Sequence, residues 1–269
     1  MSCIIAVMDR EQALEQMLPS WTKVEKIKDF VIVDWNSPKP IIKNSTIQKQ
    51  MKEYGNIKII RVEDQKYFYR CLAWNLAFQN TNPENKILLK LDADYLNINH
   101  SWMDSLKLYK NEYLKNYFIT GHWEFDPQLY GFLLVNKINF NNGYNENMEA
   151  VWGFEDNDLY ARIKKENIHY NQIFEKYLGW DGLNHIIFFN TQDYILHIPH
   201  GKISRYKNLK YKELIIKEDQ ERNQVSEKQA YRLGIKNKLT ADTFKTWIPA
   251  KYETLEDSPT YKRVKLIKK

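Results

Sequence analysis

Through residues 1–92 the chain alternates short, apolar, β-branched runs with runs of helical period, and this pattern constrains the fold more than any other feature of the sequence. Residues 3–8 read as a buried strand. Asp9 is placed to cap a helix over 11–18 that Pro19 would end, and a second strand, 30–33, closes at Asp34. A helix over 45–54 stopped by Gly55, a strand at 57–62, a helix at 69–79 and a strand at 86–91 complete the series. Strands and helices in strict alternation predict an α/β fold with a central, mostly parallel sheet covered on both faces. Ligands of such sheets gather beyond the carboxyl ends of the strands, where Asp9, Asp34, Asp92 and Asp94 all fall.

Past residue 92 the pattern loosens. A helix near 102–114, strands at 117–120 and 129–135, a turn at Asn141-Asn142-Gly143, a helix opened by Glu155-Asp156-Asn157-Asp158 and a last strand at 194–198 are predicted. Beyond Lys210 the chain reads as helical to about Leu233 with a less regular end. The expected division is therefore a catalytic domain over 1–209 and a basic, mainly helical C-terminal extension over 210–269.

Composition narrows the chemistry. A 43% hydrophobic and 28% charged chain folds as an ordinary globular protein. Its nine glycines form no Gly-x-Gly and no Gly-x-x-x-x-Gly-Lys, so neither a dinucleotide fingerprint nor a phosphate loop is present. The net charge of +6 is concentrated late: from Lys202 onward there are eighteen Lys and Arg against nine Asp and Glu. Such a lysine-rich tail is a solvated face or a contact for an anionic membrane, and no nucleic-acid partner is expected. Two cysteines make no disulfide or zinc framework, and residues 3–8 are too short for a signal sequence. The expectation is a cytoplasmic protein, touching the inner face of the membrane at most peripherally.

Three groups of residues can carry chemistry. Asp92-Ala93-Asp94 puts two carboxylates one residue apart at a strand end, a pairing that suits a hard divalent cation bridging diphosphate oxygens. His197 and His200 stand three apart at the end of the last strand, where one or both imidazoles could join Asp94 on the same ion. Glu155, Asp156 and Asp158 sit at a helix start, which helix electrostatics alone would favour. Trp152 and Gly153 just before them add what a sugar subsite needs, an aromatic face beside carboxylates, one of which could act as general base.

These segments, in this order, resemble the GT-A-fold nucleotide-sugar glycosyltransferases, and in particular the group of β1,4-galactosyltransferases, chondroitin-polymerase-type domains and related bacterial enzymes. The likeness spans about residues 2–205. It rests on Met8-Asp9-Arg10, Val33-Asp34-Trp35-Asn36-Ser37, Leu91-Asp92-Ala93-Asp94, Tyr144-Asn145-Glu146, Trp152-Gly153-Phe154-Glu155-Asp156-Asn157-Asp158-Leu159 and His197-Ile198-Pro199-His200. The resemblance implies a GT-A fold and a donor site in which Asp9, Arg10 and Asp34 help hold the nucleotide and Asp92 lies near the ribose. It further implies Asp94 and His200 as ligands of Mn²⁺ or Mg²⁺, with His197 in a third ligand's place. Asp156 would be the base of an inverting transfer from a UDP-sugar, with Trp152, Glu155 and Asn157 framing a glycan or glycolipid acceptor in surface polysaccharide or glycolipid synthesis. Ala73-Trp74-Asn75 departs from the Arg-Asn pair that many relatives carry before the Asp-x-Asp. Two other readings stay open on the residues themselves: a nucleotidylyltransferase, and a non-catalytic module binding glycan or nucleic acid through its aromatic and basic residues.

Overall fold

The computed structural model describes residues 1–101, 117–121, 127–140, 142–151, 153–165, 169–173, 194–200, 208–210, 225–244 and 246–268. The helix expected at 102–114 lies outside them. Strands β1 (Ser2–Val7), β2 (Asp29–Trp35), β3 (Ile57–Glu63) and β4 (Ile87–Asp92) alternate with helices α1 (Glu11–Thr22), α2 (Ser45–Tyr54) and α3 (Arg70–Gln79), as the sequence pattern requires. There follow β5 (Tyr95–Asn97), β6 (Tyr117–Gly121), β7 (Leu133–Asn136), α4 (Glu155–Lys165), β8 (His169–Ile173), β9 (Ile195–His197), α5 (Val225–Thr243), β10 (Lys251–Asp257) and β11 (Tyr261–Lys268).

Among the described residues one nine-stranded sheet runs β10-β11-β3-β2-β1-β4-β7-β6-β8, and β5 pairs with β9 in a separate ribbon. β11, β3, β2, β1 and β4 run parallel, while β7 and β10 are antiparallel to their neighbours. Strand side chains alternate between two cores. Cys3, Ile5 and Val7 pack with Leu14, Met17, Leu18 and Trp21 of α1 on one face, and Ile4 and Ala6 pack with Leu72, Ala73 and Leu76 of α3 on the other. Burial on both faces explains why these strands read as unbroken apolar runs rather than as alternation.

Four expectations change. α1 does not end at Pro19 but continues to Thr22, because Met17, Leu18 and Trp21 are fully buried and the Trp21 indole donates to the Tyr95 carbonyl at 2.6 Å. Tertiary packing there outweighs the backbone hydrogen bond that the proline removes. Asp9 does not cap the helix; Arg10 takes the cap position without a side-chain capping hydrogen bond to the helix, and Asp9 turns the chain at φ 57°. Residues 127–129 form a 3-10 turn, so the strand expected from 129 begins only at Leu133. The chain's end is no irregular tail: β10 and β11 form a hairpin whose second strand pairs with β3, burying Val264 in the second core. The charged residues of Tyr261-Lys262-Arg263-Val264-Lys265 disguise a strand with one buried position.

Helix α3 is tied to the segment that leads into α4. The Asn75 amide donates to the Tyr144 carbonyl at 2.9 Å and the Glu146 carboxylate at 2.7 Å, and its oxygen accepts from the Tyr144 N–H at 2.7 Å. Gly143 makes this approach possible. It sits at φ 57°, and a β-carbon there would overlap the Asn75 side chain. Gly143→Ala is therefore expected to cost roughly 2–4 kcal/mol, the left-handed backbone penalty plus overpacking. Urea unfolding measures it; an unchanged midpoint would show that the Asn75 contact yields freely.

Candidate active site

The central crevice opens where β1 and β4 lie side by side with Ala6 opposite Asp92, beyond their carboxyl ends. Asp94 follows β4 directly. The β5–β9 ribbon sets Tyr95 opposite His197, and the Ile198 N–H donates to the Asp94 carbonyl at 2.8 Å, so residues a hundred positions apart are sewn together by backbone hydrogen bonds. As a result Asp94 Oδ2 lies 3.6 Å from His197 Nε2 and 3.3 Å from His200 Nε2. One ligand atom from each of the three residues falls within 4.8 Å of the others. Around an octahedral ion with bonds of about 2.1 Å, adjacent ligand atoms are about 3 Å apart, so one carboxylate and two imidazoles stand nearly at ligand spacing. Burial alone would raise the Asp94 pKa, but His200, His197 and the Arg10 guanidinium outweigh it and hold the carboxyl below its ordinary value.

The other half of the crevice is built around Lys90, whose side chain is completely buried in the middle of β4. Its ammonium donates to the Gly131 carbonyl at 2.7 Å, lies 3.0 Å from Asp92 Oδ1 and 3.4 Å from Asp156 Oδ1, and sits 3.8 Å above the Trp74 ring. Burial alone would lower its pKa, but the Asp156 and Asp92 carboxylates overcome this and raise it, so the group is a cation at neutral pH. Gly131 has to lack a β-carbon, which would come within 2.5 Å of Asp92 Oδ2.

Asp156 lies in the first turn of α4, and its Oδ1 also accepts from the Tyr144 hydroxyl at 2.7 Å. Beside it Glu155 is buried, with Oε1 paired to Arg70 at 2.8 Å and Oε2 lacking a hydrogen-bond partner among the described residues. Burial raises the Glu155 pKa, aided by Asp156 and opposed by Arg70. An acceptor oxygen without a donor, facing no solvent, is a costly arrangement. Asn157 is exposed and donates to the Tyr130 hydroxyl at 3.1 Å.

Of the residues singled out by sequence, Asp94, His197 and His200 converge, and Asp92, Glu155 and Asp156 gather around the second centre. Asp9 stands at the rim with its N–H bonded to the Ser37 hydroxyl at 2.9 Å, and Arg10 is near enough to Asp94 to shift its titration. Asp34, expected to help hold the nucleotide, lies near the end of β2 opposite Arg61 of β3. It is fully buried, with Oδ2 accepting from Arg61 at 2.7 Å and the Ile41 N–H at 3.2 Å, and Oδ1 from the Ser37 N–H at 2.9 Å. Its carboxylate fixes the loop after β2 and presents no free face. Trp152 lies outside the described residues. The sequence reading passed over Lys90, Arg70 and Tyr144 as site groups; a lone charge inside an apolar strand, two residues before the acidic pair, was the available signal for Lys90.

Residues 131–211, which carry α4 and the two histidines, match a family model described as the N-terminal domain of galactosyltransferase. No curated protein matches the chain by sequence. Among solved structures, a mutant of the Drosophila β1,4-galactosyltransferase 7 in complex with manganese, UDP-Gal and xylobiose is 18% identical, with 98% of this chain and 92% of that one covered at a TM-score of 0.55. The chain has the GT-A glycosyltransferase fold. GalNAc-T7 with UDP, GalNAc and Mn²⁺ is 13% identical over 75% of this chain and 44% of that one, at a TM-score of 0.52. The Pyrobaculum calidifontis mannosyltransferase PcManGT, in complex with GDP-Man and Mn²⁺, is 11% identical over 77% and 61% at 0.50. The GT-A crevice of this chain thus holds both of its acidic centres. Among the described residues no helix is long and apolar enough to cross a membrane.

Proposed function

We propose that the chain is a Mn²⁺-dependent, inverting glycosyltransferase that moves a hexose or N-acetylhexosamine from a UDP-sugar to a hydroxyl of a glycan or glycolipid. The convergence of Asp94, His197 and His200 carries this reading. Two imidazole nitrogens beside one carboxylate oxygen suit Mn²⁺ better than Mg²⁺, which prefers oxygen ligands throughout. When bound there, the ion would supply Lewis-acid neutralisation of the diphosphate. Asp92, at the lip of the same crevice, is available to a donor hydroxyl, and Arg10 adds positive charge beside Asp94.

The acceptor is handled at the other centre. Asn157 lies exposed at the edge, where it can meet an acceptor hydroxyl, and the buried Glu155 beside it, paired to Arg70, frames the acceptor from below. Asp156, with Oδ1 held by Lys90 and Tyr144, keeps Oδ2 for the hydroxyl that reacts. The oxygen of the acceptor hydroxyl bonds to the anomeric carbon as the bond from that carbon to the UDP oxygen breaks; the hydroxyl proton goes to Asp156 and the electron pair leaves with UDP. Residues 1–209 supply every proposed ligand and base, while 210–269 supply a sheet edge and packing. We place the reaction in polysaccharide or glycolipid synthesis at the cytoplasmic side of a membrane, with the basic extension as the peripheral contact.

Calorimetric titration of UDP tests the donor site. Mn²⁺ is expected to be required, GDP and CMP to bind more weakly, and Asp94→Asn to weaken UDP binding roughly 100-fold or more, since even outer partners of metal ligands are worth 10–100-fold. UDP binding of equal strength in the presence of a chelator would sink the proposal.

A further inference from the structure

A buried lysine has to be explained, because removing an ammonium from water is expensive unless its partners are built around it. Around Lys90 they are. The ammonium of this fully buried side chain has a carbonyl at 2.7 Å, the carboxylates of Asp92 and Asp156 at 3.0 Å and 3.4 Å, and the Trp74 ring at 3.8 Å. Asp92 and Asp156 come from different parts of the chain, one ending β4 and the other opening α4, and Lys90 is the group common to both. Against Asp156 it acts together with Tyr144: both donors reach the same oxygen, Oδ1, one from β4 and one from the loop before α4.

We propose that Lys90 is a positioning residue for the base: with Tyr144 it pins Asp156 Oδ1, so that Oδ2 is the oxygen turned to the acceptor. The inference rests on the proposed function of Asp156 and adds a requirement that the general mechanism does not contain. Pinning one oxygen of a carboxylate by two donors from different elements restricts rotation about the Cβ–Cγ bond, and orientation of this kind is worth large factors in rate. A carboxylate that turns freely would meet the acceptor hydroxyl with either oxygen and at any angle. The contact with Asp92 at 3.0 Å balances the second negative charge.

Lys90→Met keeps the length and apolar stem while deleting the charge. Turnover is expected to fall about 100-fold, whereas the KM for the UDP-sugar and the calorimetric affinity for UDP with Mn²⁺ change less than about threefold. Loss of UDP binding in step with turnover would overturn the proposal, since Lys90 would then be sustaining the donor side or the fold. Turnover within threefold of the parent would overturn it as well. If Lys90→Met does not fold, Lys90→Gln keeps a donor for the Gly131 carbonyl and answers the same comparison. Absence of sugar transfer by the unaltered chain, with every donor, would instead strike the proposed function; the two failures are told apart by the parent enzyme.

Discussion

Asp156→Asn is expected to lower turnover by about 10³-fold, within the 10²–10⁴ range for loss of a general base, and to leave metal-dependent UDP binding intact. The substitution is nearly isosteric. An asparagine oxygen in the place of Oδ1 can still accept from Tyr144 at 2.7 Å, so the start of α4 has no reason to move. The atom at Oδ2 becomes an amide nitrogen, which cannot take the acceptor's proton. The loss should fall on kcat, because the acceptor also has Glu155 and Asn157, and because Asp94, His197 and His200 lie in the other half of the crevice. Lys90 would lose one of its two counter-charges, and the remaining Asp92 contact at 3.0 Å keeps it paired. The comparison is Asp94→Asn, which should remove donor binding itself. If Asp156→Asn retained near-normal turnover while Asp94→Asn abolished it, the base would have to be sought elsewhere.

What the sequence disclosed and what it concealed divide along physical lines. The parallel strands were legible because burial on both faces writes a continuous apolar run, as in Cys3-Ile4-Ile5-Ala6-Val7. The histidines were legible because a His-x-x-His turn at a strand end is uncommon in a chain with six histidines. Their meeting with Asp94 was legible as chemistry, one carboxylate and two imidazoles for one ion, but its structural cause, the pairing of β5 with β9 across a hundred residues, was not. The surroundings of Asp34 were concealed for a similar reason: a strand-end carboxylate looks free until Arg61, opposite it on the neighbouring strand β3, is seen to pair with it at 2.7 Å. Lys90 was concealed by its type, because lysine in a strand normally faces water and only the convergence of Asp92, Asp156 and Trp74 makes a buried one tolerable. The helix through Pro19 and the strand under Val264 were missed where packing overrides local propensity.

That C-terminal strand yields the other large effect. A chain ending at Thr246 retains α5 and the hydrogen bonds that Phe244 and Thr246 carbonyls accept from Asn145 and Asn147 at 2.9 Å and 3.1 Å, but loses the hairpin. β11 pairs with β3 from Tyr261 opposite Ile59 to Lys265 opposite Glu63. Removing it exposes Val264's place in the core, worth about 1.5–3 kcal/mol, together with several ladder hydrogen bonds at about 1 kcal/mol each. The sum, on the order of 5 kcal/mol, is comparable with the whole stability of a typical domain. The damage is also qualitative. In the intact chain the outermost strand is β10, blunted by exposed Lys251, Glu253, Glu256 and Asp257, with Asp257 paired to Lys262 and Lys58 at 3.3 Å. Without the hairpin the edge becomes β3, whose Ile57, Ile59, Ile60 and Val62 are fully or almost fully buried in the intact fold, and such an edge invites pairing between chains. The truncated protein should therefore melt at least about 10 °C lower, at 2–4 °C per kcal/mol for a chain near this size, and aggregate on concentration. A soluble monomer melting within about 2 °C of the full chain, by the same measure, would mean that the sheet ends at β3 and that the basic extension is an appendage after all.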